Sequence, residues 1–396
     1  MRLLDDPADV LPADADVATL VGRLFDPAVG GPCVVVVRDG RLLDVTGTFP
    51  TMTDLLESSD PAHRVAAIVG SRSWDLTEVL WNSLDEPGSG PRLLAPVDLS
   101  VLKAAGVTFA HSLMERLIEE RAGGDPRAAG SFRAQLEQLV GADLAAVRPG
   151  SADAAALKEE LSAKGLWSQY LEVGLGPDPE VFTKGPVLSA VGCGQEIGVS
   201  SLSAWNNPEP EMAILVTSAG KVVGATLGND VNLRDVEGRS ALLLPRAKDN
   251  NASAAVGPFI RLFDRRFGLD DVRRADVRLQ VLGEDDGFVL DGVSSMPLIS
   301  RDPEALARYT VGDSHQYPDG VLLYLGTLFA PSVDRDGTDM GFTHHLRDVV
   351  RISSPQLGTL VNRVNTSEAA PPWDFGIRDL IRSLAERGLT ASVGVQ

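Results

Sequence analysis

Residues 205–248 read WNNPEPEMAILVTSAGKVVGATLGNDVNLRDVEGRSALLLPRAK. Within them MAILVTS (212–218) and KVVGATL (221–227) are two apolar, β-branched-rich runs joined at Ala219-Gly220, and a glycine in so short a connection is a hairpin signal. Side chains alternate along a strand, so Glu209 and Glu211 leave one face and Pro210 between them leaves the other. A tight two-residue turn at Ala219-Gly220 sets Glu209 opposite Asp230 across the ladder, with Glu211 one step along on the same face. Three anions then share one small volume.

Like charges facing each other destabilise a sheet, and clustered carboxylates raise one another's pKa unless a cation sits between them. An all-oxygen set without nearby Cys or clustered His suits Mg²⁺, Mn²⁺ or Ca²⁺ rather than zinc or copper. The competing reading of the same residues is an acidic edge strand, in which Pro210 and solvated glutamates guard against aggregation.

The wording of the stretch goes further than its spacing. Glu209-Pro210-Glu211, then Asn229-Asp230 and Arg234-Asp235, resembles the metal-binding signature of the fumarylacetoacetate hydrolase family. The runs WNNPEPE, GNDVNLRDVEGRSALL and AKDNNASAAVGPFI are similar to its long-chain branch, the 2-keto-3-deoxy-pentonate dehydratases, and the likeness covers about residues 105–365. The resemblance implies a β-rich roll, part sandwich and part barrel, with flanking helices (101–396), and the residue pattern before it reads as a small mixed N-terminal domain (1–100), an α+β whole. The resemblance also implies Mg²⁺ or Mn²⁺ on Glu209, Glu211 and Asp230, and a 2-oxoacid substrate. Arg234 and Lys248 match the family's substrate-contacting Arg and the Lys a dozen or so residues beyond it, while Gly326-Thr327 matches a Gly-Thr that binds the substrate carboxylate. Glycine permits close backbone approach there, and the hydroxyl is a compact donor.

VTFAHSLMERLIEERAGG (107–124) is amphipathic, with Leu113, Met114, Leu117 and Ile118 on one side, and it should stop near Gly123-Gly124. Spacings of three and four stack Ser112, Glu115 and Glu119 on another face, suited either to a proton-transferring carboxylate or simply to water. Gly106-Val107-Thr108-Phe109 is similar to a family segment that precedes a His and Glu pair. The His position falls on Ser112 and the Glu on Glu115, with His111 one place off. The departure points away from His-Glu water activation and towards a carboxylate acting alone, Glu115 with Glu119 in reserve.

By this resemblance the expected activity is that of a metal-dependent hydro-lyase. It takes a 2-keto-3-deoxy-pentonate to 2-oxoglutarate semialdehyde through a metal-bound enolate, which Lys248 and Arg234 stabilise. The alternative is a C–C hydrolase or decarboxylase of an acylpyruvate or oxaloacetate. A third reading, of another class, is a non-catalytic 2-oxoacid-binding protein.

The rest of the chain bounds these readings. With 396 residues, 44% of them hydrophobic, it forms one large or two unequal domains. A net charge of −19 argues against general affinity for nucleic acid or anionic lipid. Cys33 and Cys193 form no metal or redox motif, and the N-terminus lacks a leader pattern, so a cytoplasmic setting is expected. A homodimer is implied by resemblance only. Residues 16–25 place Val17, Leu20, Val21 and Leu24 at helical spacing, CVVVVRDGRLLDV reads as two strands about Asp39-Gly40, and EPGSGP (86–91) reads as a linker. SFRAQLEQLVGADLAAV and DAAALKEELSAKGL read as surface helices, and no chemistry is expected of His344-His345. Pro179, Glu180, Phe182 and Lys184 resemble the family's Pro-Glu-x-Phe-x-Lys entry strand, on which Glu180 either faces the substrate or is a strand-edge carboxylate.

Overall fold

The computed structural model describes residues 1–84, 90–130, 132, 147–165, 167–338 and 340–390. Most of the EPGSGP linker and of the expected SFRAQLEQLVGADLAAV helix therefore lies outside the described residues.

Eleven of the described strands make one sheet. They are β1 (Leu20–Asp26), β2 (Gly31–Arg38), β3 (Arg41–Asp44), β4 (Ser73–Asp75), β5 (Arg92–Leu94), β6 (Val101–Gly106), β7 (Glu180–Gly185), β10 (Pro210–Val216), β11 (Val222–Asp230), β13 (Ala254–Leu262) and β16 (Val321–Tyr324). Their order is β4-β3-β2-β1-β13-β11-β10-β16-β6-β7, with β5 also pairing with β1. A second sheet holds β8 (Glu196–Val199), β14 (Asp276–Leu282), β15 (Val289–Ser295), β17 (Val349–Ser354) and β18 (Gly358–Thr366) in the order β15-β14-β17-β18-β8. The short pair β9 (Asn206–Asn207) and β12 (Asn232–Leu233) flanks the hairpin.

The hairpin carries the expected register. Pro210 pairs with Asn229 and Leu215 with Gly224, and the Asp230 amide donates to the Glu209 carbonyl at 3.1 Å. The turn is longer than expected. The Thr217 amide bonds to the Lys221 carbonyl and the Gly220 amide to the Thr217 carbonyl, which leaves Ser218, Ala219 and Gly220 in the loop, with Gly220 at φ 76°. A bulge between Leu215 and Val216 absorbs the extra residue and restores the pairing that brings Glu209 to Asp230.

β10 is interior, paired with β11 on one side and β16 on the other, and every residue in it is buried. Met212, Ile214 and Val216 pack in the core between the two sheets. Ala213 and Leu215 face the opposite way, into the cluster with Met52 and Leu55 of helix α1 (Met52–Leu56) and Val65 of α2 (Pro61–Ala67). Each such aliphatic side chain contributes about 1.5–3 kcal/mol on full burial. The edge-strand reading is thereby overturned, because a strand paired on both sides has no free edge to guard and its glutamates are buried.

Two N-terminal expectations meet different outcomes. Asp39 and Gly40 take φ 49° and 70° between β2 and β3, the conformation a two-residue hairpin demands. The helix expected over residues 16–25 is instead strand β1, whose Leu20, Val21 and Leu24 are buried on both faces. β1 pairs with β13, so strands from either side of residue 100 share one sheet.

Helices α3 (Leu76–Leu84), α4 (Ala110–Ala122), α5 (Ala152–Ala163), α6 (Gln169–Leu175), α7 (Arg234–Glu237) and α8 (Leu244–Lys248) complete what frames the site. Leu113, Leu117 and Ile118 of α4 pack with Leu161 of α5 and Leu171 and Leu175 of α6. α4 ends at Gly123 in the left-handed conformation, φ 61°, as its glycine pair suggested.

Candidate active site and metal centre

Glu209, Glu211 and Asp230 come together at the end of the hairpin. One carboxylate oxygen from each lies within 4.8 Å of the others, and all three side chains are at most 2% exposed. Their electrostatics differ because their neighbours do. Burial raises the Glu209 carboxyl, but Lys248 and Arg116 outweigh it and hold it at about 2. Burial, Asp230 and Glu209 together push Glu211 well above the usual carboxylate range, although the Gly326 amide donates to its Oε2 at 2.7 Å and the Thr327 hydroxyl to its Oε1 at 3.2 Å. A charge so opposed is what a divalent cation among three carboxylates relieves. The donors are all oxygen and buried, so they fit a hard ion.

Two lysines reach the cluster. Lys248 Nζ lies 2.5 Å from Glu209 Oε2 and 3.3 Å from Asp230 Oδ2, and these anions, with Glu237, keep it charged above its ordinary value against the cost of burial. Lys184 of β7, fully buried, lies 2.7 Å from Asp230 Oδ1 and donates to the Val231 carbonyl at 3.1 Å. Sequence reading placed Lys184 in the family-like Pro-Glu-x-Phe-x-Lys strand but gave it no role, because the spacing says nothing of Asp230.

A small cleft opens onto the cluster, lined by Gly106, Val107, Ser112, Arg116, Glu180, Phe182, Glu237, Lys248 and Thr327 as well as the three carboxylates. Val107 holds φ 57°, a strained conformation for a β-branched residue, where β6 passes into α4. Gly326, at φ 104°, has no room for a side chain, since a Cβ would stand 1.9 Å from Thr108 Oγ1. Gly326 and Thr327, expected to hold a substrate carboxylate, here donate to Glu211. Ser112 lines the cleft and donates to the Phe109 carbonyl at 2.8 Å.

The expected acid-base pair is elsewhere. Arg234 lies 2.7 Å from Glu115 Oε2 and 2.6 Å from Glu119 Oε1, donates to the Pro331 carbonyl at 2.9 Å, and stacks 4.9 Å from the Trp205 ring centre. Glu115, Glu119 and Arg234 thus form one buried ionic knot beside the cleft, and none of them lines it. Helical spacing grouped Ser112, Glu115 and Glu119, yet Ser112 lines the cleft while Glu115 and Glu119 share the buried Arg234, of which the spacing said nothing. Besides the trio and Glu237, which pairs with Arg116, the carboxyl that faces the cleft is Glu180 at the start of β7. Burial and Glu237 raise it to about 7, against the pull of Arg116 and Lys248. His344 is buried against Asp348, and both ring nitrogens of His345 meet surface aspartates, so neither reaches the cleft.

No family model matches the chain. Over 186 residues, 47% of its length, it is 33% identical to the 2-dehydro-3-deoxy-D-arabinonate dehydratase of Saccharolobus solfataricus, spanning 58% of that protein. Over 199 residues, 50% of its length, it is 30% identical to a probable 2-keto-3-deoxyxylonate dehydratase of Haloferax volcanii, spanning 64% of that one. It therefore covers about three fifths of these relatives. A solved 2-keto-3-deoxy-D-arabinonate dehydratase complexed with magnesium and 2,5-dioxopentanoate superposes with a TM-score of 0.59 at 21% identity, over 88% of this chain and 99% of that one. The chain has the fumarylacetoacetate-hydrolase-like fold. A 2-hydroxyhepta-2,4-diene-1,7-dioate isomerase from Mycobacterium marinum shares that fold at a TM-score of 0.52 and 18% identity, over the same shares of the two chains. The resemblance read from WNNPEPE and GNDVNLRDVEGRSALL is borne out, since both relatives bear dehydratase names.

Proposed function

We propose that this protein is a divalent-metal-dependent dehydratase of a 2-keto-3-deoxy-pentonate, giving 2-oxoglutarate semialdehyde and water. The observation that supports it most is the buried trio Glu209, Glu211 and Asp230 with Lys248 on one side and Glu180 across the cleft. Both named relatives act on substrates of this class, and a neighbour of the same fold holds magnesium. Glu209, Glu211 and Asp230 would hold Mg²⁺ or Mn²⁺. A bound divalent ion supplies Lewis acidity at the 2-oxo group, which acidifies the C3 hydrogens.

The chain's own groups do the rest. Glu180, with a pKa near 7, takes a C3 proton when ionised. Lys248, charged and buried, stabilises the negative charge that develops on the 2-oxo oxygen. The electron pair from the C3–H bond then expels the C4 hydroxyl, which leaves as water with the proton that Glu180 returns. One proton lost from C5 and one from the C5 hydroxyl, with one gained at C3 and one at C4, then convert the unsaturated 2-oxo acid into the C5 aldehyde. Ser112 and Thr327 are the hydroxyls in the cleft placed to orient the substrate.

Among the described residues no histidine lines the cleft, which favours dehydration over a histidine-activated hydrolysis of a C–C bond. Incubation with Mg²⁺ and, separately, 2-keto-3-deoxy-pentonates, acylpyruvates and oxaloacetate tests the reading by product. Semialdehyde from the first class supports it, and turnover of the others alone rejects it. Tight 2-oxoacid binding without any product would identify a binding protein. The described residues contain no helix long and apolar enough to cross a membrane. A cytoplasmic homodimer remains part of the proposal, to be checked by sedimentation.

A further inference from the structure

Arg116 of α4 sits among three carboxylates drawn from three parts of the chain. It pairs with Glu119 on its own helix and with Oε1 of Glu209, and its Nε lies 3.3 Å from Glu237 Oε1 on α7. The side chain is buried and lines the cleft. Lys248 takes the other oxygen of Glu209, Oε2, at 2.5 Å. Glu209 is therefore gripped at both oxygens by cations from different helices.

The helix that carries Arg116 is itself fixed. A Cβ on Gly238 would stand 2.9 Å from the Glu119 carbonyl oxygen and 3.0 Å from Gly124 Cα, so the end of α4 touches the α7 turn backbone to backbone. Arg116 thus reaches Glu209 from a rigid base. An ionised carboxylate has about four acceptor positions, so a clamped Glu209 keeps lone pairs for a cation.

We propose that Arg116 is a positioning residue of the metal centre, which holds Glu209 in place from α4 and so sets the affinity of the site for a divalent ion. The inference rests on reading Glu209, Glu211 and Asp230 as the metal ligands. A planar guanidinium holds three carboxylates with five donors in a fixed fork, whereas an ammonium meets its partners as a freely rotating point charge and fixes their positions less. Removing a group that orients a metal ligand typically weakens metal binding roughly 10–100-fold.

The test is a Mn²⁺ titration of the full chain, followed by the paramagnetic resonance signal of the free ion. The variants are Arg116→Met, Arg116→Lys and the pair Arg116→Met with Glu237→Gln, which removes one charge of each sign and so protects the fold. The melting temperature without metal is recorded for each. The expected result is Mn²⁺ affinity weakened roughly 10–100-fold in Arg116→Met and in the pair, with Arg116→Lys between them and wild type. Should Arg116→Met fail to fold, the other two variants carry the test. A folded variant with a lowered melting temperature but wild-type or tighter Mn²⁺ affinity would show a merely structural role and overturn the proposal. The underlying reading fails separately, and the proposal with it, if wild type binds no Mn²⁺ or if Glu211→Gln and Asp230→Ala bind it as wild type does.

Discussion

Glu180 owes its place to a glycine opposite. A Cβ on Gly106 would stand 2.0 Å from Glu180 Oε2, so any other residue at 106 displaces the carboxyl from the cleft. In the proposed mechanism Glu180 takes a C3 proton only when ionised, and burial with Glu237 holds it at about 7. The kcat/KM of the free enzyme should therefore rise as pH passes upward through about 7. Glu180→Gln should flatten that limb and lower kcat roughly 10²–10⁴-fold while leaving Mn²⁺ binding in place, which a pH-rate profile and a metal titration check together. The same shift bears on stability. Its folded value exceeds the ordinary 4.5, so the stability it contributes is present below that value and is lost as pH climbs through about 7. At pH 8 Glu180→Gln should melt higher than wild type despite its lost activity. Glu211 gives a sharper contrast, because burial, Asp230 and Glu209 all oppose its charge. Glu211→Gln should stabilise the metal-free protein at pH 8 and abolish metal binding, and an unchanged metal affinity would remove Glu211 from the ligand set.

At the scale of elements, what the sequence made legible was local. The alternation of Glu209, Pro210 and Glu211 with the apolar run after them was enough to set β10 in register with β11, because a one-residue slip would turn Met212 and Ile214 out of the core. The extra turn residue was not legible, since the bulge at Leu215 that compensates it answers to β13 and β16 as much as to the hairpin. β1 was misread because a strand buried on both faces lacks period-2 alternation, and short apolar runs then fit either spacing. Arg116 was hidden for a related reason. In MERLIEER it resembles any solvated helix charge, and only the arrival of Glu209 and Glu237 from far along the chain makes it part of the site. Lys184 was legible as part of the Pro-Glu-x-Phe-x-Lys strand but not as a partner of Asp230, and it yields a prediction at this scale. It ties β7 to the hairpin through Asp230 and Val231, so Lys184→Met leaves a buried anion short of one partner. The cost should be up to about 3–5 kcal/mol in metal-free denaturant unfolding. A cation beside Asp230 should recover part of it, so the same measurement with saturating Mg²⁺ should show a smaller loss. An equal loss in both would mean that Asp230 and the ion do not meet.

For the molecule as a whole, the interior of the site and the outer surface set opposite electrostatic demands. The chain carries −19, which repels an anionic substrate at long range, while Lys248, Lys184 and Arg116 gather positive charge around the buried trio. Even beside these cations, burial, Asp230 and Glu209 push the Glu211 carboxyl well above its usual range, an environment that a bound divalent cation would relieve. An ion that binds the folded protein and not the unfolded chain raises its stability by about 2.7 kcal/mol at a hundred times Kd. Calorimetric melting should therefore rise by several degrees from chelator to saturating Mg²⁺. General screening of the acidic surface predicts a rise too, but one that NaCl at equal ionic strength reproduces and that Glu211→Gln retains. A specific centre predicts a rise that follows Mg²⁺ concentration, is absent with NaCl and is absent in Glu211→Gln. If wild type and Glu211→Gln shift equally, the trio at the hairpin's end is a crowded cluster of acids and the dehydratase reading loses its foundation.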